Sequence, residues 1–504
     1  MKQELTTELP PSENQPSYWL PLIAIIIGAF VAILNNSLIN VALPKLMNVF
    51  GSTQDRIQWV LTGYMLASGI IIPITGYAGD RFGYKKFFII AISVFTGGAF
   101  LCAIAWSDMS LIIARVISGL GGGVIMPLSM AIIYKIVPRN KIGAALGLWG
   151  ISAMVAPAVG PTLSGYLIEW LNWRYLFIIN IPIGLFAIFM VSILLKETEV
   201  DKTKTFDFIG FLLVATSAGT LLYAFSNGNS VGWTSFEIVF LIYISISTLL
   251  LLIWYEGKIA NPIVDLSLLK NFPFTLSVVT ASLVTVGLFG GIFLMPIFLQ
   301  NIQQVSAIDT GLLLMPQAIA MAVFMPVAGK LFDKIGVIPL GLGGLTLLST
   351  MTYELHKLTV DTPHDWIITV LVIRGIGISL CMMPLSTAGM NAVSPQQVGN
   401  ASSLSNLIRQ VAGSLAIAIL TMIMQKRVAF HSGHIADTIS LSNPAVSSLG
   451  SSPVLSLDTI GSLIRLEATT RGIADAFWAS SLPLFLCIPL VLFFIRPKKK
   501  PQEN

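Results

Sequence analysis

Charge is scarce in this sequence. Only 11% of its 504 residues are Asp, Glu, Lys or Arg, against about a quarter in soluble proteins. With 55% hydrophobic residues, the chain cannot clothe itself in a polar surface, which excludes a soluble fold. Cysteine is scarcer still. Cys102, Cys381 and Cys487 all lie in apolar runs and no pair has zinc spacing, so neither a disulfide framework nor a cysteine metal site is expected. The four histidines, His356, His364, His431 and His434, fall in connecting segments. The pair in "HSGH" (431–434) stands in a Ser-rich stretch, where no metal site is expected. An intramembrane enzyme needs a catalytic constellation in the bilayer. The sequence has no membrane-embedded histidine, no H-E-x-x-H and no G-x-S-x-G, and it lacks a P-loop, which argues against an enzyme and against direct use of ATP.

Long apolar runs are what the sequence does have. Crossing a bilayer takes about 20 apolar residues. Fourteen such runs are found, near 19–43, 57–78, 86–106, 109–133, 143–167, 174–195, 207–225, 236–255, 274–298, 310–331, 336–354, 366–390, 402–424 and 475–495. The run from Trp19 to Leu43 is too long for a signal-peptide core and reads as an uncleaved first helix. An even number puts both termini on one side, and lysine and arginine choose which. With the N-terminus in the cytoplasm, eighteen of the 29 basic residues fall inside and eight outside. The remaining three, Arg115, Arg374 and Arg409, lie within apolar runs. The net charge of +5 is therefore a topological signal and no nucleic-acid partner is expected.

The chain repeats itself. Gly76, Asp80, Arg81 and Gly83 have the same spacing as Gly329, Asp333, Lys334 and Gly336, the aspartates being 253 residues apart. "MPLS" at 126 recurs at 383, and Arg115 and Arg374 are 259 apart. These offsets imply two six-helix halves with two extra helices between them. The expected division is a cytoplasmic tail (1–18), a first bundle (19–200), an inserted pair (201–257), a second bundle (258–495) and a basic cytoplasmic tail (496–504). Within the second bundle, residues 425–474 read as a Ser-rich extracellular loop with a short helix near 458–467. Duplicated halves in a membrane point to a transporter whose site lies between them near the bilayer midplane.

Several stretches carry a family resemblance. "GYAGDRFGYKK" (76–86) resembles the loop between helices 2 and 3 of the major facilitator superfamily, and "RVISGLGGG" (115–123) its helix 4 arginine motif. "APAVGPTLSG" (156–165) is similar to the helix 5 antiporter motif. "NVALP" (40–44) and "WRYLFIINIPIG" (173–184) extend the resemblance to the fourteen-helix drug:proton antiporter family, over about residues 19–424. The resemblance implies an all-α polytopic fold of two six-helix repeats plus two inserted helices. It also implies a multi-pass inner (plasma) membrane protein, acting as a monomer without cofactor. Its substrates would be small hydrophobic or amphipathic drugs, expected to be cationic, exported by alternating access in exchange for protons. A dedicated metabolite exporter, or one for a single antibiotic class, is the alternative on the same fold.

The residues then take expected roles. Gly76, Asp80, Arg81, Gly83 and Lys85, with Gly329, Asp333 and Gly336, form gating loops. Asp80 would cap a helix N-terminus or pair with a basic residue across the bundle. Arg115 is costly to insert, about 2.5–3.5 kcal/mol at a helix centre, and is expected either to serve the cavity or to staple helices. Arg409 has the same two readings, and Arg374 is a candidate staple. Pro157, Gly160, Pro161 and Gly165 would bend and pack helix 5. Asn35 stands where the family usually has a titratable Asp. Asn36 and Asn40, four apart, are expected to line the cavity. No acidic residue is central in helices 1 to 6, and Asp207, Glu237, Asp309 and Glu354 lie near helix ends. Met315, Met321, Met325, Met382, Met383 and Met390 are candidate soft walls.

Overall fold

The computed structural model describes residues 18–138, 141–259, 262–438 and 457–494, and all regular structure among them is helical. The first half runs through α1 (Trp19–Phe50), α2 (Gln54–Ile71), α3 (Ile74–Phe82), α4 (Tyr84–Ala103), α5 (Asp108–Ile136), α6 (Ile142–Trp170), α7 (Tyr175–Ile178) and α8 (Asn180–Leu194). The inserted pair is α9 (Phe208–Val231) and α10 (Phe236–Glu256). The second half follows as α11 (Phe272–Ile297), α12 (Ala307–Ile335), α13 (Val337–Glu354), α14 (His364–Asn391), α15 (Val398–Thr438) and α16 (Leu457–Val491). Among the described residues eleven helices are long and apolar enough to cross a membrane, and two bent pairs raise the number to thirteen. The fourteenth crossing is α13, only 18 residues long, its apolar content diluted by four threonines and serines and three glycines.

Two bends have identifiable causes. The second crossing breaks by 57° between α2 and α3, where Pro73 lacks the N–H that an unbroken helix needs. At the break the carbonyl of Ile72 accepts from the Thr75 amide at 3.0 Å, from the Thr75 hydroxyl at 2.7 Å and from the Ser403 hydroxyl of α15 at 2.7 Å. Helix α6 bends by 40° after Pro157. Pro161 cannot donate to the carbonyl of Pro157 four residues back. The Ser37 hydroxyl of α1 takes that role at 3.1 Å, and Gly160 lets Ser37 come this close.

The segment 79–87, expected as a loop, is almost wholly helical. Only Gly83 separates α3 from α4, at φ +92°, and Gly336 separates α12 from α13 at φ +83°. Both conformations are ones that side chains rarely tolerate, which explains why the repeat places a glycine at each.

Apolar packing differs between the two faces of the molecule. On the face carrying Asp80, a single cluster runs through both halves, from Leu22, Phe88 and Leu128 to Leu276, Met383 and Leu404. Towards the opposite face the clusters are separate: one around Leu38, Leu111 and Phe177, the other around Leu294, Leu371 and Phe477. Helices α6 and α12 stay together along their length, with Gly143 against Gly329, Gly147 against Met325 and Gly165 against Ile308.

The expected irregular loop at 425–474 requires correction. Helix α15 continues to Thr438, 41 residues in all, and α16 begins at Leu457. At 1.5 Å per residue, α15 is about 60 Å long, twice the hydrocarbon thickness. The projecting turns are fastened by Asp475, which accepts from Arg427 Nε at 2.5 Å and pairs with His431 Nε2 at 2.8 Å. These lateral bonds stabilise helix where serine content suggested none.

Gly336 and Gly343 are both open to a methyl group, with no atom within 4 Å of a built Cβ. Their backbones differ, so their substitutions should differ in sign. Gly336→Ala should destabilise by about 1–3 kcal/mol, whereas helical Gly343→Ala should stabilise by about 0.5–1 kcal/mol. Thermal melts of the detergent-solubilised variants read both; equal shifts would contradict the backbone assignment.

Candidate functional site

A cavity of about 280 Å³ lies between the two halves. The first half contributes Asn36 from α1, Tyr64, Met65 and Ser68 from α2, and Trp149 from α6. The second half contributes Phe289 from α11, Met325 from α12, Met382 and Met383 from α14, and Asn406, Arg409 and Gln410 from α15. Three of the six expected methionines, Met325, Met382 and Met383, are in the lining, while Met321 and Met390 are packed into the core. Polar groups are few. The Asn36 side-chain oxygen is buried without a hydrogen-bond partner. Arg409 is half-buried and donates to Asn406 Oδ1 at 3.0 Å. No acidic residue is in the lining, and among the described residues none pairs with Arg409. The side chain of Asn40 lies outside the described residues.

Arg115 is behind the wall. It is fully buried, donates from Nε to the carbonyl of Val60 at 3.0 Å and from Nη1 to Asn35 Oδ1, and its guanidinium lies 4.2 Å from the centre of the Tyr64 ring. It thereby ties α5 to α1 and α2, while Tyr64 presents its other surface to the cavity. Of the two expected roles, the contacts are those of a staple, and Asn35 is its acceptor. Arg374 repeats the arrangement in the second half. It too is fully buried, donating to the Thr352 hydroxyl at 3.1 Å and to the Gly287 carbonyl, with Gly291 leaving room for its guanidinium.

Asp80 is nearly buried and forms the hub of the closed face. It accepts from the Tyr84 hydroxyl at 2.9 Å, pairs with Lys204 at 2.6 Å and lies 3.6 Å from Lys135. All three partners precede the second half, so the ion pairs of Asp80 run across its own bundle and to the linker, not between the halves. Close contacts between the halves are made by small residues instead. A Cβ at Gly76 would overlap Asn400, and one at Gly329 would overlap the carbonyl of Gly143. The Ser402 hydroxyl donates to the carbonyl of Pro127 at 2.8 Å, and Ser403 to that of Ile72. Asp80 reaches the other half through Tyr84, whose hydroxyl lies against Gly399. Asp333 behaves differently: its carboxylate faces the backbone amides of Gly143 and Ala144 at the start of α6, where a helix N-terminus favours negative charge.

The linker before α9, residues 195–207, wraps this hub. The Glu197 carboxylate accepts from the backbone amides of Lys85 and Lys86 at 3.1 and 3.3 Å, capping α4. Lys85 Nζ donates to the carbonyl of Ser192 at 2.7 Å. The amide of Asp201 donates to the carbonyl of Asp80 at 2.8 Å. Hydrogen bonds from Thr203 hold the Asp201 carboxyl below its usual range. Arg81 keeps one buried nitrogen without a partner. The one signal available in the sequence was an acidic and a basic residue at 197 and 204 in a connection of unusual length.

The carboxylates near helix ends do not reach the cavity. Asp207 caps α9, accepting from the amide of Gly210 at 2.8 Å. Asp309 bonds Ser306 at the start of α12, and Glu354 pairs with Lys357 at 2.7 Å. Glu237 accepts from the Tyr223 hydroxyl at 3.1 Å on the inserted pair.

A ligand-sized chamber between duplicated helical bundles, closed on one face, defines a membrane transporter and not an enzyme. The model of the Major Facilitator Superfamily matches residues 25–417. The chain belongs to that superfamily. It is 37% identical over 499 residues to the MFS-type transporter YhcA of Bacillus subtilis, covering 95% of this chain and 93% of the relative. It is 31% identical over 407 residues to the multidrug resistance protein B homolog of Mycobacterium tuberculosis, covering 79% and 75%. Among solved structures, the proton:xylose symporter XylE superposes with a TM-score of 0.61 at 15% identity, over 95% of this chain and 96% of that one, a likeness of fold.

If Arg115 is a staple, its loss should appear as instability. Arg115→Ala deletes two charge-assisted hydrogen bonds, each contributing about 1.5–3 kcal/mol. The melting temperature of the purified protein should fall clearly, with Arg115→Lys recovering part. Unchanged melting in the alanine variant would remove Arg115 from the structural framework.

Proposed function

We propose that this chain exports hydrophobic and amphipathic small molecules from the cytoplasm by alternating access between its two halves. The observation that carries this reading is the apolar cavity between the repeats, with packing continuous on the Asp80 face and divided towards the other. That arrangement is one of the two end states an alternating transporter needs. Relatives named for multidrug resistance support drugs as substrates. Asp80, with Tyr84, Lys204 and Glu197, holds the gate loop in shape, and Gly76, Gly83, Gly329, Asp333 and Gly336 let the closed face pack. The Pro157, Gly160, Pro161 and Gly165 segment gives α6 its bend. Proton influx as the energy source rests on the family resemblance, because the cavity itself offers no carboxylate. The basic residues on the Asp80 face support a cytoplasmic orientation of that face, and of both termini, in a plasma-membrane protein.

A susceptibility panel in a strain stripped of its own exporters tests the function. Expression should raise tolerance to several unrelated amphipathic compounds; protection against one class alone would favour a dedicated exporter. Asp80→Asn removes the ion pairs with Lys204 and Lys135 while sparing an acceptor for Tyr84. It should abolish that protection at unchanged membrane level, and normal protection would reduce the hub to a topological marker. Orientation has its own check. In intact cells an impermeant thiol reagent should miss Lys202→Cys and label Gly433→Cys, and the reverse pattern would invert the assignment.

A further inference from the structure

We infer that the cavity is built for organic anions, held by Arg409, and that the membrane potential drives their export. The inference rests on the exporter reading, specifies its substrate class, and puts the potential in place of proton influx as the energy source. The expected cationic substrates do not suit this chamber. Arg409 is the one ionisable side chain with a full charge in its lining, and it spends a single hydrogen bond on Asn406. Guanidinium has five N–H donors, so most remain free for a ligand. Behind the Tyr64 wall, Arg115 is fully buried and bonded only to the neutral groups of Val60 and Asn35. Positive charge thus acts on a low-dielectric space with no carboxylate in its lining, and its field is weakly screened there. An organic cation entering would be repelled, whereas an anionic group would gain a charge-assisted contact. Trp149, Phe289 and Met383 supply the surface for an apolar body, and the Asn36 oxygen without a partner can accept from a ligand donor.

The sign of the charge also settles the energetics. With the cytoplasm negative, exporting a cation is uphill and needs a coupled proton, hence a titratable group where the substrate binds. Exporting an anion is downhill. The potential favours a monovalent anion outside by about fifty-fold per 100 mV. When the anion pairs with Arg409, the loaded cavity carries one positive charge fewer than the empty one. The empty cavity is positive, and the potential pulls it back towards the cytoplasmic side, so the driving force acts on the return step.

The experiment uses the full chain in liposomes with a potassium diffusion potential and a pH gradient imposed separately. Three probes share one ring: naphthalene-2-sulfonate, permanently anionic; naphthalene-2-sulfonamide, neutral; and naphthyl-trimethylammonium, permanently cationic. The sulfonate should leave a negative interior at a rate that rises with the potential and ignores the pH gradient. Arg409→Gln should cut sulfonate flux at least ten-fold and spare sulfonamide flux, with Arg409→Lys recovering part. The sulfonate should raise the melting temperature of the wild-type protein and not that of Arg409→Gln. Faster transport of the ammonium probe, or sulfonate flux that follows the pH gradient and not the potential, would overturn the inference while leaving an exporter. Sulfonamide transport without sulfonate transport would do the same. Failure of wild-type protein to move any probe would defeat the exporter reading itself.

Discussion

Positive charge without a counter-charge, held inside the bilayer, is the constraint around which the helices are arranged. Each arginine at a helix centre costs about 2.5–3.5 kcal/mol to insert, and among the described residues no carboxylate pairs with Arg115, Arg374 or Arg409. The first two are paid off with backbone carbonyls, an amide and a hydroxyl drawn from neighbouring helices, which requires α5 to lie against α1 and α2, and α14 against α11 and α13. Each half is therefore organised around its own buried guanidinium. Arg409 has no such enclosure and borders the cavity. Asn35 is neutral, so its hydrogen bond to Arg115 holds the guanidinium without cancelling its charge.

Much of this was legible in the sequence. Fourteen apolar runs, the repeat of Asp80 at Asp333 and of Arg115 at Arg374, and the superfamily motifs lead to the observed fold, because hydropathy and spacing follow directly from spanning a bilayer twice over. Gly83 and Gly336 were also readable, since only glycine suits their backbone. Other features depend on partners distant in sequence. Nothing near Pro161 reveals that Ser37 satisfies the carbonyl it frees, and nothing near Asp80 names Lys204. The length of α15 was hidden because serine content was weighed above lateral bonding, and Asp475 lies 48 residues from Arg427. Arg115 and Arg409 looked alike as single arginines in apolar runs. Only packing separates a staple from a group on the cavity wall.

The closed face shows a division of labour between charged and neutral contacts. Ion pairs around Asp80 stay within the first half and its linker, fixing the shape of the α3–α4 corner. The halves meet through glycine backbones and the hydroxyls of Ser402 and Ser403. Neutral hydrogen bonds contribute only about 0.5–1.5 kcal/mol each, so, apart from the Asp333 carboxylate on the amides of Gly143 and Ala144, separating the halves breaks weak bonds while the Asp80 ion pairs travel intact. Had the salt bridges spanned the halves, opening would strand buried charges at several kcal/mol apiece, too much for a step repeated in every cycle.

The inserted pair gives the two corners different characters. Because α9 must leave the first half and start a new crossing, residues 195–207 lie across the Asp80 corner and supply Glu197, Asp201 and Lys204. At the equivalent corner between α12 and α13, Asp333 faces the N-terminus of α6 instead. That contact crosses between halves, whereas those of Asp80 do not. The two aspartates occupy matching places in the repeat yet resist different motions: Asp333 opposes separation of α12 from α6, and Asp80 opposes distortion of the corner that α15 packs against. Sequence symmetry is thus kept in the spacing and lost in the bonding, and the asymmetry follows from where the two extra helices enter the chain.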